Sequence, residues 1–292
     1  MRKFLQLVLT LICFLSFSQK IEKLALKKYL VAELPADLKE TSGLDFFNDQ
    51  LFSFNDSGNT SELFQIDKNS GQIINRFSTG LQNKDWEALT NDGQNFYIAD
   101  FGNNGGSRKD LKIYKIPFHD GVLNKDSVQT ISYYYPNQTD FTFKNINTDF
   151  DAEAIVYANN RLHLFTKEWT SKGVSHYEII PTEINHQPAQ KIDFYKTEFV
   201  VTDAAYFQGK LYVVGYTKKL KVYLQIFEET KSSVFFKGKT KKFKLGNALN
   251  LGQIEGITVN EEGIYISGEQ FNFPFKSISQ RLYFVPHDII IL

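Results

Sequence analysis

Five times along this chain, at intervals of about fifty residues, a polar residue is followed by small and apolar residues that lead into a strand-like run. The copies are Asp85-Trp86-Glu87-Ala88-Leu89, Asp151-Ala152-Glu153-Ala154-Ile155, Thr202-Asp203-Ala204-Ala205-Tyr206 and Ile254-Glu255-Gly256-Ile257. A looser copy, Glu40-Thr41-Ser42-Gly43-Leu44, has Ser42 in the acid's place. From Ser42 through Glu87, Glu153 and Asp203 to Glu255 the separations are 45, 66, 50 and 52 residues. That period is the span of one four-stranded propeller blade.

The residues downstream of each copy are also alike. A turn such as Asn91-Asp92-Gly93, Asn159-Asn160 or Gln208-Gly209 leads into an alternating apolar run, for example Asn95-Phe96-Tyr97-Ile98-Ala99. Gly and Asn tolerate positive φ, so these turns suit hairpins. Third runs come next, and fourth strands are expected at Ile73 to Phe77, Val128 to Tyr134, Gln190 to Tyr195 and Lys239 to Leu245. The last copy lacks a fourth run. Leu24 to Leu34 reads as a strand that supplies it and closes the ring, which removes exposed sheet edges. The expected architecture is all-β, a propeller of five four-stranded antiparallel blades. Thr139 to Asn147 reads as an insertion rather than as part of a sixth blade. A β-sandwich has no reason to repeat an acidic motif at this period.

The 27 Phe and 15 Tyr suit pleated, half-buried surfaces. Formal net charge is zero, which argues against a general nucleic-acid binder. Arg2 and Lys3, the apolar run Phe4 to Phe17, and Ser16-Phe17-Ser18 before Gln19 read as a signal peptide over residues 1–18. The expectation is an exported protein, periplasmic or extracellular, with one propeller domain over 19–292 and no transmembrane segment in the mature chain. The single cysteine, Cys13, lies in the leader, so disulfides and cysteine chemistry are excluded from the mature chain. No two of the five histidines are spaced as metal ligands, and His163 reads as a packed strand residue.

In a propeller the first strand of each blade lines the channel and the second returns beside it. The start of one and the end of the other therefore share a mouth. Ser42, Glu87, Glu153, Asp203 and Glu255 occupy the first position, and Asp56, Asp100, Lys167, Thr217 and Glu269 come thirteen or fourteen residues after each. Two nested polar rings are expected, with Ser42, Glu87, Glu153, Asp203, Glu255, Lys167 and Glu269 as the candidate ligand-binding set. Asp56-Ser57-Gly58-Asn59 and Asp100-Phe101-Gly102-Asn103 share an Asp-x-Gly-Asn core. Carboxylates converging on one channel need a cation, water or raised pKa values to coexist. Oxygen ligands suit a hard ion, so Asp56, Asn59, Asp100 and Asn103 are the candidate Ca²⁺ ligands. The inner acids have a second reading, as braces that bond backbone N–H groups of neighbouring blades. Arg108 and Lys109 come after the second hairpin and can approach the mouth. Trp86 and Trp169 are open to either blade packing or sugar stacking.

These motifs, above all Glu-Thr-Ser-Gly-Leu, Asn-Asp-Ser-Gly-Asn and the Glu-Ala-Leu, Glu-Ala-Ile and Glu-Gly-Ile copies, resemble secreted bacterial propellers of the SdiA-regulated and phytase-like type. Within that group the resemblance to phytases implies Ca²⁺ and acidic residues that hydrolyse phosphate esters. This chain departs from that pattern, because Lys167 is the one cation in its polar rings and no basic cluster stands ready for a phosphate. Three functions are therefore carried forward: a binder of a small molecule or protein at the acidic mouth with Ca²⁺ assistance, a Ca²⁺-dependent ester hydrolase, and a structural scaffold in an envelope assembly.

Overall fold

The residues after each motif copy fold back as hairpins, because alternating apolar side chains are joined by turns that use positive φ. Asn159 and Asn160 hold φ of 51° and 59°, and Gly93 and Gly209 hold 81° and 72°. Asn and Gly reach this region at little cost. A third and a fourth strand extend each hairpin outward. The computed structural model describes residues 21–183, 185–231, 233–274 and 276–290; the signal peptide expected over 1–18 lies outside them.

The product is a five-bladed all-β propeller. Blade 1 comprises Thr41–Phe47, Gln50–Asn55, Glu62–Ile66 and Ile73–Ser78. Blade 2 comprises Trp86–Asn91, Asn95–Asp100, Lys112–His119 and Gln129–Tyr134. Blade 3 comprises Ala152–Ala158, Arg161–Thr166, Val174–Ile179 and Gln190–Tyr195. Blade 4 comprises Val200–Phe207, Lys210–Tyr216, Lys221–Glu228 and Thr240–Asn247. Blade 5 comprises Gln253–Val259, Gly263–Glu269 and Arg281–Pro286. Its fourth strand is Leu30–Glu33, which pairs antiparallel with Arg281–Pro286.

Closure therefore comes from the N-terminal side, with one difference from the single strand expected over Leu24 to Leu34. That segment is divided by a 3₁₀ turn at Leu26–Tyr29. Ahead of the turn, Ile21–Lys23 adds in parallel to the outer strand of blade 4. Burial explains the division. Leu24 and Leu26 sink into the core between blades 4 and 5, and Leu34 into the core between blades 5 and 1. A straight strand cannot serve both. The same pairing covers the edge of the lysine-rich strand Thr240–Asn247.

The core is divided in the same way as the ring. Each of five apolar clusters lies between one pair of adjacent blades. Between blades 1 and 2, Phe47, Phe52, Phe96 and Phe118 meet mostly edge to face, the arrangement aromatic quadrupoles prefer. Residues 135–151 contain no strand and form an insertion after blade 2.

Candidate functional site

At the mouth end of every inner strand the ladder slips by one residue. The residue left out of register is Gly43, Glu87, Glu153, Thr202 or Glu255 in blades 1 to 5. A bulge of this kind bends the strand and re-aims one side chain. Here it places Glu87, Glu153 and Glu255 in one cluster. One residue past the residue paired just before each bulge, the returning chain carries Asn55, Phe101, Lys167, Tyr216 and Glu269 in equivalent positions.

Lys167 is the centre of this arrangement. It is 6% exposed, and its Nζ lies 2.9 Å from Oε2 of Glu153. Burial alone would lower its pKa, but Glu153, Tyr216, Glu255 and Asp151 hold it well above the usual lysine range. Its ammonium also faces the rings of Trp169 and Tyr216 at 5.9 and 5.8 Å. Seven carboxyl groups feel this one charge: Asp56, Asp85, Glu87, Asp151, Glu153, Glu255 and Glu269.

Lys167, with Arg108 acting on Asp85, cannot compensate seven carboxylates, so protons must. Burial, then repulsion from Glu153 and Asp85, pushes Glu87 well above the carboxylate range. Burial and Glu153 do the same to Asp151. Asp56 is pushed up to about 7 by burial and by Glu40. Burial lifts Glu255 to about 8 against the pull of Lys167, and burial with Glu255 lifts Glu269 to about 9. Glu87 and Glu153 lie side by side, and burial raises both carboxyls, Glu153 against the pull of Lys167. Oε1 of Glu153 is buried and has no hydrogen-bond donor among the described residues.

Gly102 is packed against the cluster. A Cβ there would lie 2.2 Å from Oε1 of Glu87 and 2.4 Å from Oδ2 of Asp85. Gly102→Ala is therefore expected to destabilise the fold by about 1–3 kcal/mol through overpacking. Urea unfolding checks this, and an unchanged midpoint would show that the two carboxyls move aside freely.

Several residues singled out from the sequence stand elsewhere. Ser42 donates from Oγ to the carbonyl of Glu87 at 2.8 Å, and Asp203 accepts from the N–H groups of Ile257 and Ala204 at 2.7 and 2.8 Å. Both join adjacent inner strands, the bracing alternative for the inner polar residues. Thr217 belongs to the turn before Lys221, whose N–H its Oγ1 accepts. Asp100 is fully buried and paired with Arg108 at 2.8 Å and Lys112 at 3.8 Å. Asn103 accepts from the N–H of Arg108 and donates to the carbonyl of Phe150, while its own N–H donates to Asp151. Asn59 donates to Glu40 and to the carbonyl of Asp56. With the oxygens of Asp100 and Asn103 committed to these partners, the set Asp56, Asn59, Asp100 and Asn103 does not fit a shared Ca²⁺ site. Among the described residues no group of three or more His, Cys, Asp and Glu is arranged to hold a metal ion.

Arg108 does approach the mouth, donating to the carbonyl of Gly102 as well as to Asp100, whereas Lys109 lies over Phe141. Trp86 is fully buried, donates to the carbonyl of Gln82 and meets Phe54 edge to face, a packing role. His163 is buried and bonds His176 on the next strand, which in turn bonds Asp193. Three cluster members lay beyond the expected site set: Asp85, Asp151 and Tyr216. The first two carried a readable signal, since Asp-x-Glu in an extended strand puts both acids on one face.

No family model and no curated protein sequence matches the chain. Of the resemblance to SdiA-regulated and phytase-like propellers, the five-bladed fold is the part that stands. Among solved structures, the β-propeller domain of Cps50 (Swd1) from Myceliophteria thermophila is 8% identical over 88% of this chain and 99% of that one, with a TM-score of 0.45. A Thermus thermophilus protein assigned as an oxidoreductase of the glucose dehydrogenase kind is 10% identical over 86% of this chain and 98% of that one, also at 0.45. Kuenenia stuttgartiensis hydrazine synthase is 10% identical over 80% of this chain and 75% of that one, at 0.41.

Proposed function

We propose that this chain is an exported propeller that binds a positively charged ligand at its acidic mouth. The observation that carries the reading is the imbalance of seven carboxyl groups around the Lys167 ammonium, with Arg108 acting on Asp85. Three of the seven, Asp56, Asp85 and Glu269, keep part of their surface in solvent. A ligand ammonium or amidinium entering there replaces the protons that keep the cluster neutral. Its binding should therefore release protons and strengthen as pH rises through the range 7 to 9 in which Asp56, Glu255 and Glu269 titrate.

The test is thermal melting with 1,4-diaminobutane or CaCl₂ at pH 8 and pH 5. A ligand at a hundredfold excess over its Kd should raise Tm by about 5–10 °C at pH 8. The shift should shrink at pH 5 and vanish in the Asp56→Asn, Glu269→Gln double variant. No shift with either cation would sink the proposal, and a shift with Ca²⁺ alone would return a metal to the site.

One observation favours hydrolysis as a second reading. Two adjacent buried carboxyls with raised pKa values, Glu87 and Glu153, beside the fixed ammonium of Lys167 can serve as general acid and base. A panel of phosphate esters, carboxylate esters and lactones tests it. Turnover should fall at least about a hundredfold in Glu87→Gln, and a panel without turnover by the parent protein removes this reading.

A further inference from the structure

Beside the acidic mouth, between blades 3 and 4, lies a groove of opposite character with a cavity of about 270 Å³. Its apolar surface is aromatic. Trp169 and Tyr216 line it together with Phe199 and Tyr223, whose rings stack at 5.5 Å. Its rim is basic: Lys172, Lys218, Lys219 and Lys221 are all exposed and line the same space. The one acid among the lining residues, Glu198, is paired with Lys242 at 3.6 Å.

We infer that this groove binds an acidic sugar, a pyranose ring that stacks on Trp169 and carries an anionic group to the lysine rim. A flat aromatic face with a charged tip beside it suits a ring with aliphatic C–H bonds on one face and a carboxylate at its edge. Lys218 is exposed and lies over the Trp169 ring, with its ammonium 5.5 Å from the ring centre, so a sugar that stacks there displaces this ammonium to its own edge, where it meets the carboxylate. The indole N–H of Trp169 is buried, so a ligand meets this ring through its face rather than its edge. The inference does not depend on the cation proposed for the mouth, because the two sites have opposite charge and different lining, Tyr216 and Trp169 excepted.

The chain has two tryptophans, and Trp86 is fully buried. Tryptophan fluorescence therefore reports on Trp169. The probes are D-galacturonic acid oligomers, neutral cello-oligomers of the same length, sodium benzoate and sodium sulfate. The expected result is saturable quenching by the uronic oligomers, weakened by salt and absent with neutral oligomers. Calorimetry should show affinity lost in Trp169→Ala and reduced about tenfold or more in Lys218→Gln, with Trp169→Phe retaining binding. A melting curve on each variant separates loss of binding from loss of fold; if Trp169→Ala unfolds, Lys218→Gln decides alone. Equal binding of neutral oligomers would overturn the charge requirement. Equal binding of benzoate or sulfate would overturn the sugar assignment. Absence of binding by every probe at millimolar concentration would overturn the site.

Discussion

Raising the pH from 5 to 9 will lower the melting temperature by on the order of 10 °C, the reverse of the acid sensitivity usual in proteins rich in paired carboxylates. The sign comes from proton counts. In the unfolded chain Asp and Glu lose their protons near 3.8 and 4.5, whereas in the folded chain Asp45 and Asp56 hold theirs to about 7, Glu255 to about 8 and Glu269 to about 9. Between those limits the folded state binds more protons than the unfolded state, so stability falls as pH rises. Asp45 lies in the far half of the inner strand Thr41–Phe47 of blade 1, where Asn91, Thr258 and the N–H of Phe46 donate to it, and burial still outweighs those bonds. His163 acts in the opposite sense. Burial and His176 lower it to about 3, so it stays neutral in the fold while the unfolded imidazole protonates below 6.5. It is one group against four, and its influence ends above pH 6.5. After discounting for solvent at the partly exposed Asp56 and Glu269, a net few kcal/mol remains, at about 2–4 °C per kcal/mol. Calorimetry at intervals of one pH unit reads the slope directly. A Tm that rises steadily from pH 5 to pH 9 would show that the mouth is not held together by protons. Glu269→Gln should flatten the upper part of the curve, because its amide cannot ionise.

The architecture was legible because a propeller writes its blades into the sequence one after another. Four of the expected fourth strands match the structure to within two residues, and the fifth is supplied from the N-terminal side. The site was only half legible, and the bulges explain why. A one-residue slip inside each inner strand breaks the period-two reading at the positions that matter. Aligned by their acids, the copies place Ser42 and Asp203 with Glu87; aligned by the ladder, the equivalents are Gly43 and Thr202. The two Asp-x-Gly-Asn strings show the same effect more strongly. Asp100 is paired with Trp86 inside its ladder, but Asp56 lies beyond the Thr41–Asn55 pair that ends the ladder in blade 1. Identical strings therefore occupy positions two residues apart, and one aspartate enters the cluster while the other is locked to Arg108. Tyr216 carried no signal at all, since nothing local marks a tyrosine that will meet a lysine from the neighbouring blade.

Lys167→Met is expected to cost about 3–5 kcal/mol at pH 8, the penalty for leaving a buried partner charge alone, and much less at pH 5. Methionine fills nearly the same volume and keeps the apolar stem between Trp169 and Tyr216, so the substitution isolates the ammonium. At pH 8 its removal leaves Glu153 without its 2.9 Å partner and exposes every neighbouring carboxyl to unrelieved repulsion. The cluster then has to take up further protons, and the upward shifts already present in Glu87, Asp151, Glu255 and Glu269 must grow. At pH 5 those protons are available at little cost, so the variant should approach the parent in Tm. The difference between the two pH values is thus the measurement, and it separates electrostatics from packing. A deficit of equal size at both would mean that Lys167 acts as a filler of space. Adding Glu153→Gln to Lys167→Met should recover part of the loss at pH 8, because residues in direct contact do not contribute additively. The same pair of variants bears on the ligand. If the mouth exists to receive a second positive charge, removing the first should tighten the binding of 1,4-diaminobutane, since an incoming ammonium can then take the place of Nζ against Glu153.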